Sequence, residues 1–211
     1  MEAVKIKAAG LWKAYRPAKP VLRNLNLTIT RGAFVVITGP PGSGKTTLLR
    51  LLAGLDRPDG GTLQIRPGPA GRPLTTLAFQ NGALLPWLTV AENIAYGLRL
   101  RHWPPEHQRD AAEHYARRLH LSQWLDTYPG RLSRADQQRI GLARALANNP
   151  EILLLDDPLS AQENDAQRHL VTRELDRLNA TRHQTVVYAT RNPAESAAWH
   201  DAVLALPQPY S

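Results

Sequence analysis

The chain has 211 residues, which is enough for one sizeable hydrophobic core, with or without a smaller inserted lobe. It contains no cysteine, which excludes disulfides and thiolate metal sites and fits a reducing cytosol; we expect neither a signal peptide nor a membrane span, because no apolar run approaches ~18 residues. The formal net charge is +8, but the arginines are scattered along the chain, so we expect no dedicated nucleic-acid surface.

The first predicted elements are short strands between Met1 and Ile29. Val4–Ile6 and Leu25–Ile29 alternate apolar and polar residues, which predicts a small antiparallel sheet. Ala33–Thr38 is largely apolar, and this pattern predicts a buried strand of the main sheet. Arg57–Pro73 is rich in glycine and proline, which predicts turns between short strands rather than a catalytic loop.

A glycine-rich loop follows the buried strand, with the sequence Gly39, Pro40, Pro41, Gly42, Ser43, Gly44, Lys45, Thr46, Thr47. An apolar helix predicted over Leu48–Leu55 comes next, which is the order that a phosphate-binding loop requires and that a chance glycine-rich turn would lack. The glycines let backbone N–H groups face a β-phosphate at the helix N-terminus. Lys45 is expected to reach the β- and γ-phosphates, and the Thr46 hydroxyl to bind magnesium. The loop predicts a nucleoside triphosphate site.

A second apolar strand is predicted over Ile152–Asp156, and it ends in a carboxylate. Asp156 is expected to hold magnesium together with Thr46. Asp157 stands where a carboxylate can orient or deprotonate an attacking water, although it can instead simply begin the turn with Pro158.

The remaining C-terminal elements alternate in type. A helical pattern over Asn164–Asn179 is followed by an apolar strand over Thr185–Thr190 and a last short strand over Val203–Leu206. This alternation predicts an α/β fold whose largely parallel sheet is covered on both faces.

In this order, the motifs resemble those of the ATP-binding subunits of ABC transporters over nearly the whole chain. Phe79-Gln80 resembles the family's glutamine loop, which implies that Gln80 contacts magnesium and the attacking water. Leu132-Ser133 and the helix after it resemble the signature motif, which implies that Ser133 contacts nucleotide. Residues 156–161 resemble the acidic strand end that leads into the D-loop.

The resemblance also implies the fold and the adenine contact. We expect one domain with a P-loop core of the RecA type over about 1–83 and 149–211, an N-terminal antiparallel part and an inserted helical lobe over about 84–148. Tyr15 matches the aromatic residue that stacks on adenine, with Trp12 as the competing candidate and ordinary packing as the alternative for Tyr15. Because the chain ends soon after Leu206, we expect no accessory regulatory domain.

The stretch Asn81–Leu100 looks most like importers of the nitrate, taurine and alkanesulfonate group. In such subunits this segment presents a groove to a permease. An apolar set within it either lines that groove or forms the core of the lobe, and both possibilities are open: Leu84, Leu85, Trp87 and Leu88.

The chain departs from the family at catalytic positions. Arg134 and Ala135 replace the two signature glycines, and Asp136 follows them. Asp157 replaces a catalytic glutamate, which shortens the reach of the carboxylate by one methylene. Arg191 replaces the switch histidine; it can stabilise phosphate charge but cannot accept a proton as an imidazole does.

We therefore expect an ATP-binding subunit that couples ATP binding and slow hydrolysis to solute import, with ATP and Mg²⁺ as ligands and with Asp157, Gln80 and Arg191 as its catalytic residues. The alternative is a non-hydrolysing structural or regulatory subunit, and a third is an ABC-type ATPase acting on nucleic acid or ribosomes. The expected partners are a second copy or a paired ATP-binding subunit, an integral-membrane permease and, indirectly, a solute-binding protein. The expected location is the cytoplasmic side of the cell membrane, as a peripheral subunit.

Overall fold

The computed structural model describes residues 3–16, 19–68, 71–192, 194–195 and 199–208. The chain divides into two units, the first drawn from residues 1–77, 151–156 and 178–211, the second from residues 78–150 and 157–177. Among the described residues, no helix has the length and apolar character that crossing a membrane requires.

Within the residues that the structure describes, eight strands form two sheets. In chain order they are β1 (Val4–Arg16), β2 (Lys19–Thr30), β3 (Phe34–Thr38), β4 (Gly60–Ile65), β5 (Thr75–Ala78), β6 (Ile152–Asp156), β7 (Thr185–Thr190) and β8 (Ala202–Ala205). The three-stranded sheet has the order β2-β1-β4, and the five-stranded sheet has the order β5-β6-β7-β3-β8.

The three-stranded sheet is antiparallel, as the alternating pattern near the N-terminus predicts. Ile6 lies opposite Ile29 on one side and Ile65 on the other, and the inward side chains of these strands are part of the hydrophobic core. The sequence did not single out β4 within the glycine-rich stretch, of which residues 69 and 70 lie outside the described ranges. Gly61 has φ 79° and passes the backbone of Gly10 so closely that a Cβ at Gly61 would lie 2.3 Å from the Gly10 carbonyl oxygen. A glycine is therefore required there.

The five-stranded sheet is parallel where β3 pairs with β7 and β8, and where β6 pairs with β7. Every residue of β3, β6 and β7 is buried, which explains why these strands read as nearly continuous apolar runs. The parallel register sets Thr38 beside Thr190, and Asp156 beside Ala189. The carboxyl ends of three adjacent strands therefore lie at one edge of the sheet, where ligands of open α/β sheets bind.

The described part of the chain also contains five α-helices: α1 (Lys45–Leu52), α2 (Val90–Leu100), α3 (Pro105–Arg118), α4 (Arg134–Ala147) and α5 (Asp165–Thr181). The second unit contains α2, α3, α4 and the beginning of α5. Thr89 and Glu92 form a reciprocal capping box that starts α2. The fold class expected from the sequence, a parallel α/β core with an antiparallel part and a helical lobe, is confirmed.

The four apolar residues that precede α2 divide between the two roles expected for them, which are to line a groove and to form the core of the lobe. Leu88 is buried and Leu84 and Leu85 are half-buried, whereas Trp87 is 69% exposed. The segment is held by Asn93, whose buried side chain donates to the carbonyl oxygens of Leu85 and Leu88 at 3.1 and 3.0 Å. Trp87 is thus presented to solvent by a segment that is itself fixed to the helix.

Candidate nucleotide-binding site

The glycine-rich loop leaves the end of β3 and runs into α1, which begins at Lys45 and therefore earlier than the predicted Leu48. Gly42 and Gly44 have φ values of 80° and 98°, which favour glycine. Gly44 is the N-cap of α1, and no side chain caps the helix there. The first N–H groups of α1 therefore point into the loop, as an anion site at a helix N-terminus requires.

The ammonium group of Lys45 lies inside the curve of the loop. Lys45 Nζ donates to the carbonyl oxygens of Gly39 at 2.5 Å and Pro40 at 2.9 Å, and it lies 3.5 Å from Ser43 Oγ. The Lys45 residue is only 8% exposed. The loop thus holds its one cation close to its own backbone, where the positive charge and the helix N-terminus both favour an anion.

The structure brings Thr46 and Asp156 together at the end of β6. Thr46 Oγ1 donates to Asp156 Oδ2 at 2.8 Å. Burial raises the pKa of the Asp156 carboxyl, and it outweighs the opposing effects of the Thr46 hydrogen bond and of the Lys45 and Arg191 charges. A hydroxyl and a carboxylate are the oxygen donors that magnesium takes when phosphate oxygens complete its shell, so these residues fit a magnesium–nucleotide complex. Among the described residues, no group of three or more His, Cys, Asp or Glu side chains could hold a metal on its own.

Arg191 directly follows β7 and lies close enough to Asp156 for its charge to oppose the rise in the pKa of that carboxyl. The backbone beside it is braced by Glu195, whose Oε2 accepts from the hydroxyls of Tyr188 and Thr190, each at 2.7 Å. Sequence reasoning missed Glu195, because an isolated glutamate in a loop carries no motif. Its contacts indicate that Glu195 fixes the chain direction at Arg191.

The two adenine-stacking candidates lie on β1 and are both exposed. Tyr15 is 55% exposed, and its hydroxyl donates to Asp56 Oδ2 at 2.8 Å. Trp12 is 39% exposed, and the Arg23 guanidinium carbon lies 5.8 Å from its ring centroid. Neither ring is buried in the core, and Lys13 Nζ lies 5.4 Å from the Tyr15 ring centroid. The adenine contact therefore stays a prediction for either ring.

In the second unit, Gln138 joins two of the predicted catalytic positions. Its side-chain Nε2 donates to the carbonyl oxygens of Gln80 at 2.7 Å and Asp157 at 3.0 Å. Gln138 is 3% exposed, and its Oε1 accepts from Gln162 Nε2 at 2.9 Å. The Gln137-Gln138 pair within the signature helix was the available signal, but its role was not predicted. Gln138 ties the glutamine loop to the D-loop.

The backbone of Asp157 forms the turn that the sequence left as its alternative role. Asp157 has φ 49°, and its carbonyl oxygen accepts from the N–H of Ser160 at 3.1 Å. Asp157 is also 7% exposed, so its carboxylate is almost completely withdrawn from bulk water. The turn therefore sets where the carboxylate lies, and its catalytic role stays a prediction.

Ser133 is the N-cap of α4 and is bound to Asp136. Ser133 Oγ accepts from the Asp136 N–H at 3.1 Å and donates to Asp136 Oδ2 at 2.5 Å. Asp136 also forms an ion pair with Arg139. The Ser133 hydroxyl is thus already hydrogen-bonded to the carboxylate of Asp136, in the first turn of the helix that Ser133 caps.

The comparisons with known proteins agree with this geometry. Residues 22–160 match the ABC transporter family. A spermidine/putrescine import ATP-binding protein, PotA, of Marinobacter nauticus is 37% identical over 98% of this chain and 56% of the relative. An uncharacterized ABC transporter ATP-binding protein of Methanocaldococcus jannaschii is 35% identical over 96% of this chain and 78% of the relative. The chain spans about half the length of the spermidine/putrescine import proteins that it matches.

Solved structures show the same architecture. A dimeric structure of a bacterial ABC transporter cassette has a TM-score of 0.87 and 31% identity, covering 96% of this chain and 94% of the other. An ATP-binding cassette in a post-hydrolysis dimer, bound to ADP and Pi, has a TM-score of 0.86 and 30% identity, covering 95% and 94%. None of these relatives singles out the nitrate, taurine and alkanesulfonate importers that residues 81–100 resemble. The chain belongs to the ABC transporter family, as one of its ATP-binding domains.

Proposed function

We propose that the chain is the ATP-binding subunit of an ABC importer and couples ATP binding and slow hydrolysis to the entry of a solute. The observation that carries this proposal is the pairing of Thr46 with Asp156 at 2.8 Å beside the Lys45 ammonium. Magnesium, when bound with ATP, would be held by Thr46, Asp156 and Gln80 and would neutralise phosphate charge. The loop residues Gly39–Thr47 bind the phosphates, and Tyr15 stacks on the adenine.

Hydrolysis in this proposal depends on residues that differ from those of the family. Asp157 orients the attacking water as a shortened carboxylate, Gln80 contacts the same water, and Arg191 stabilises charge on the phosphate. Ser133 contacts nucleotide only after it leaves the Asp136 carboxylate, to which it donates in this structure. The lost reach of Asp157 and the committed Ser133 hydroxyl both support a slow turnover.

The proposed partners follow from the family and from the exposed segment before α2. A second copy or a paired ATP-binding subunit completes a dimer, as in the dimeric cassettes to which the chain is similar. An integral-membrane permease contacts the lobe over about residues 84–148, where Trp87 is exposed, and a solute-binding protein acts indirectly. The subunit is then peripheral, on the cytoplasmic side of the membrane.

The test of the function is ATP binding and ATP hydrolysis measured side by side on the purified full chain, with Lys45→Ala as the control. We expect binding of Mg-ATP and a slow turnover, both lost in the control. Tight ATP binding with no turnover above the control would overturn the proposal that hydrolysis drives transport. It would indicate the non-hydrolysing alternative, to which the relatives give no support. Absence of ATP binding would overturn both.

The solute class is a separate proposal. Residues 81–100 favour the nitrate, taurine and alkanesulfonate group, whereas the import proteins reported above are named for spermidine and putrescine. We propose the former group on the run Leu84–Trp87. Uptake of labelled taurine, nitrate and spermidine should be compared in cells with and without the chain. Loss of taurine or nitrate uptake supports the proposed group, and loss of spermidine uptake alone overturns it.

A further inference from the structure

The first unit carries most of the positive charge of the chain. Residues 1–77, 151–156 and 178–211 contain 14 Lys and Arg against 7 Asp and Glu, a formal charge of +7, whereas the second unit has 12 against 11 and a formal charge of +1. The nucleotide loop belongs to the first unit. The excess of cations therefore lies in the unit that we propose to bind an anionic nucleotide.

Part of this excess lies at the end of the β1–β2 hairpin. Arg16 is opposite Lys19 in the register of the two strands, and both residues are exposed. Neither side chain forms a hydrogen bond or an ion pair with another described residue. Like charges directly opposite each other destabilise a pair of strands. The stability of the hairpin therefore does not explain these two residues, which we call the hairpin cations.

The carboxylates beside the hairpin are paired with other cations. Asp56 Oδ1 and Asp59 Oδ1 lie 3.2 and 3.1 Å from Lys13 Nζ. Asp56 Oδ2 also lies 3.8 Å from Arg50 Nε. The two carboxylates thus balance the charges of Lys13 and Arg50, and the charges of the hairpin cations remain in excess.

The hairpin cations are close to the nucleotide loop because β2 packs against it. A Cβ placed on Gly44 would lie 2.8 Å from Leu22 Cδ2 and 3.0 Å from the carbonyl oxygen of Val21. Leu22 is opposite Lys13, and the hairpin cations lie three residues further along both strands, which is about 10 Å at ~3.3 Å per residue. The Debye length is also about 10 Å at 0.1 M salt. Charges at this distance therefore still attract an anion that approaches the loop.

We propose that Arg16 and Lys19 steer a magnesium nucleoside triphosphate towards the loop and so raise the rate at which it binds. This inference rests on the proposed function, because it concerns the same ligand. A magnesium–ATP complex is negatively charged, so the field of the hairpin cations attracts it before any contact forms. Such steering raises association rates about tenfold or more, and salt weakens it. The hairpin cations therefore change the association rate constant and leave the dissociation rate constant as it is.

The test is stopped-flow fluorescence on the full chain with magnesium and mant-ATP, an ATP that carries a fluorescent group on its ribose. In the chain with Arg16→Gln and Lys19→Gln, we expect the association rate constant to fall about threefold at about 0.1 M salt and to be nearly unchanged at about 1 M. The dissociation rate constant should stay within about twofold of its original value. The fall should be smaller for mant-ADP, because its magnesium complex is less negative.

The matched control removes two charges from the other end of the same sheet, with Lys7→Gln and Arg66→Gln. Both residues are exposed, and Lys7 is opposite Thr28, which lies six residues from Leu22 and so about 20 Å along β2 from the contact with the loop. At about 0.1 M salt this distance exceeds the Debye length, so the association rate constant should change little. An equal fall in both variants would overturn local steering, because net charge alone would then explain it.

The remaining outcomes separate this inference from the proposed function. An unchanged association rate constant without the hairpin cations overturns steering and leaves the proposed function in place. A clearly higher dissociation rate constant also overturns steering, because the side chains would then hold the bound nucleotide or its site. If the unsubstituted chain does not bind mant-ATP, the proposed function and the inference both fail. Denaturant unfolding checks the fold, and loss of the two facing charges should leave stability equal or higher.

Discussion

Gln138 Nε2 lies 2.7 Å from the carbonyl oxygen of Gln80, and the same amide group reaches the carbonyl oxygen of Asp157 at 3.0 Å. One buried side chain therefore holds the backbone carbonyl groups of two residues that we propose to act on the attacking water. A buried amide in such a network is costly to remove, because the Gln80 carbonyl oxygen then loses this donor, whereas the Asp157 carbonyl oxygen keeps the Ser160 N–H.

Replacing Gln138 should separate positioning from binding. Gln138→Met keeps the volume but removes the amide, so we expect the free energy of unfolding to fall by about 2 kcal/mol. ATP turnover should fall about tenfold because the water-positioning residues lose their alignment, while the Kd for ATP changes little. Denaturant unfolding, ATP binding and steady-state hydrolysis measure the three effects.

The neighbour Gln137 offers a matched control for this change. Its Nε2 donates to the carbonyl oxygens of Pro129 and Leu132 at 3.0 and 2.9 Å, and not to Gln80. Gln137→Met should therefore lower stability without the same loss of turnover. If both variants lose turnover equally, the bonds of Gln138 have no specific part in catalysis.

Restoring the family's residues should accelerate hydrolysis. The combined variant Asp157→Glu, Arg191→His, Arg134→Gly and Ala135→Gly lengthens the carboxylate, restores a group that can accept a proton and opens the backbone of the signature. We expect turnover to rise about a hundredfold, as for the gain of a positioned acid or base. Phosphate release measures the rate, and Lys45→Ala in the same background should abolish it. No gain would show that these positions do not limit catalysis.

The adenine contact can be assigned with conservative and severe changes at Tyr15. Tyr15→Phe loses the hydrogen bond to Asp56 but keeps the ring, so the Kd for ATP should change by less than about twofold. Tyr15→Ala loses the ring and should weaken ATP binding about tenfold. Calorimetric titration with ATP checks both. A loss seen with Trp12→Ala and not with Tyr15→Ala would transfer the role to Trp12.

The raised pKa of Asp156 should affect how the stability of the chain depends on pH. Burial holds the pKa of this carboxyl above its ordinary value of 3.8, so the folded state binds the proton more tightly than the unfolded state does. Stability linked to Asp156 is therefore highest below the unfolded-state pKa and is lost as the pH rises through the folded-state pKa. We expect Asp156→Asn to raise the free energy of unfolding at pH 7, with a gain that shrinks as the pH falls. Denaturant unfolding at pH 7 and at successively lower pH values measures the gain in the free energy of unfolding.

The carboxyl of Asp201 should change stability with pH in the opposite direction, because its pKa is lowered. Burial raises the pKa of its carboxyl, but the hydrogen bonds from Arg182 and the Phe34 N–H together lower it below the ordinary value. Its contribution to stability is present above the unfolded-state pKa and is lost as the pH falls. Asp201→Asn should then lower the free energy of unfolding at pH 7. The same direction of change in both variants would contradict the burial of Asp156 as the cause.

The strands of the parallel sheet could be predicted because burial on both faces imposes an uninterrupted apolar run. Ile152–Asp156 and Thr185–Thr190 have the bounds expected from the sequence, and the first core strand begins one residue later, at Phe34. β4 was hidden because its residues are mostly exposed or half-buried and lie among glycines and prolines. A strand held mainly by backbone pairing leaves little pattern in its side chains.

The roles of Gln138 and Glu195 could not be predicted for a different reason. Gln138 bonds to Gln80 and Asp157, which lie 58 and 19 residues away in the chain, and an isolated glutamine has no periodicity to reveal this. Glu195 bonds to Tyr188 and Thr190, which are only seven and five residues away, but a single glutamate at that spacing forms no recognisable motif. The nucleotide loop was recognisable because its bonds are local, joining Lys45 to residues within the same loop. Hydrogen bonds between residues that are far apart in the chain, such as those of Gln138, leave no such spacing in the sequence.

The Lys45 ammonium donates to the carbonyl oxygens of Gly39 and Pro40, so hydrogen bonds within the loop already hold its curled backbone. A phosphate that enters exchanges these bonds for its own, and does not create them from a solvated side chain. Part of the enthalpy of binding is therefore cancelled, while little conformational entropy is lost, since the backbone is already curled. Nucleotide selectivity at this loop should then depend on how well a ligand replaces those carbonyl oxygens as partners of Lys45, and not on the charge of the ligand alone.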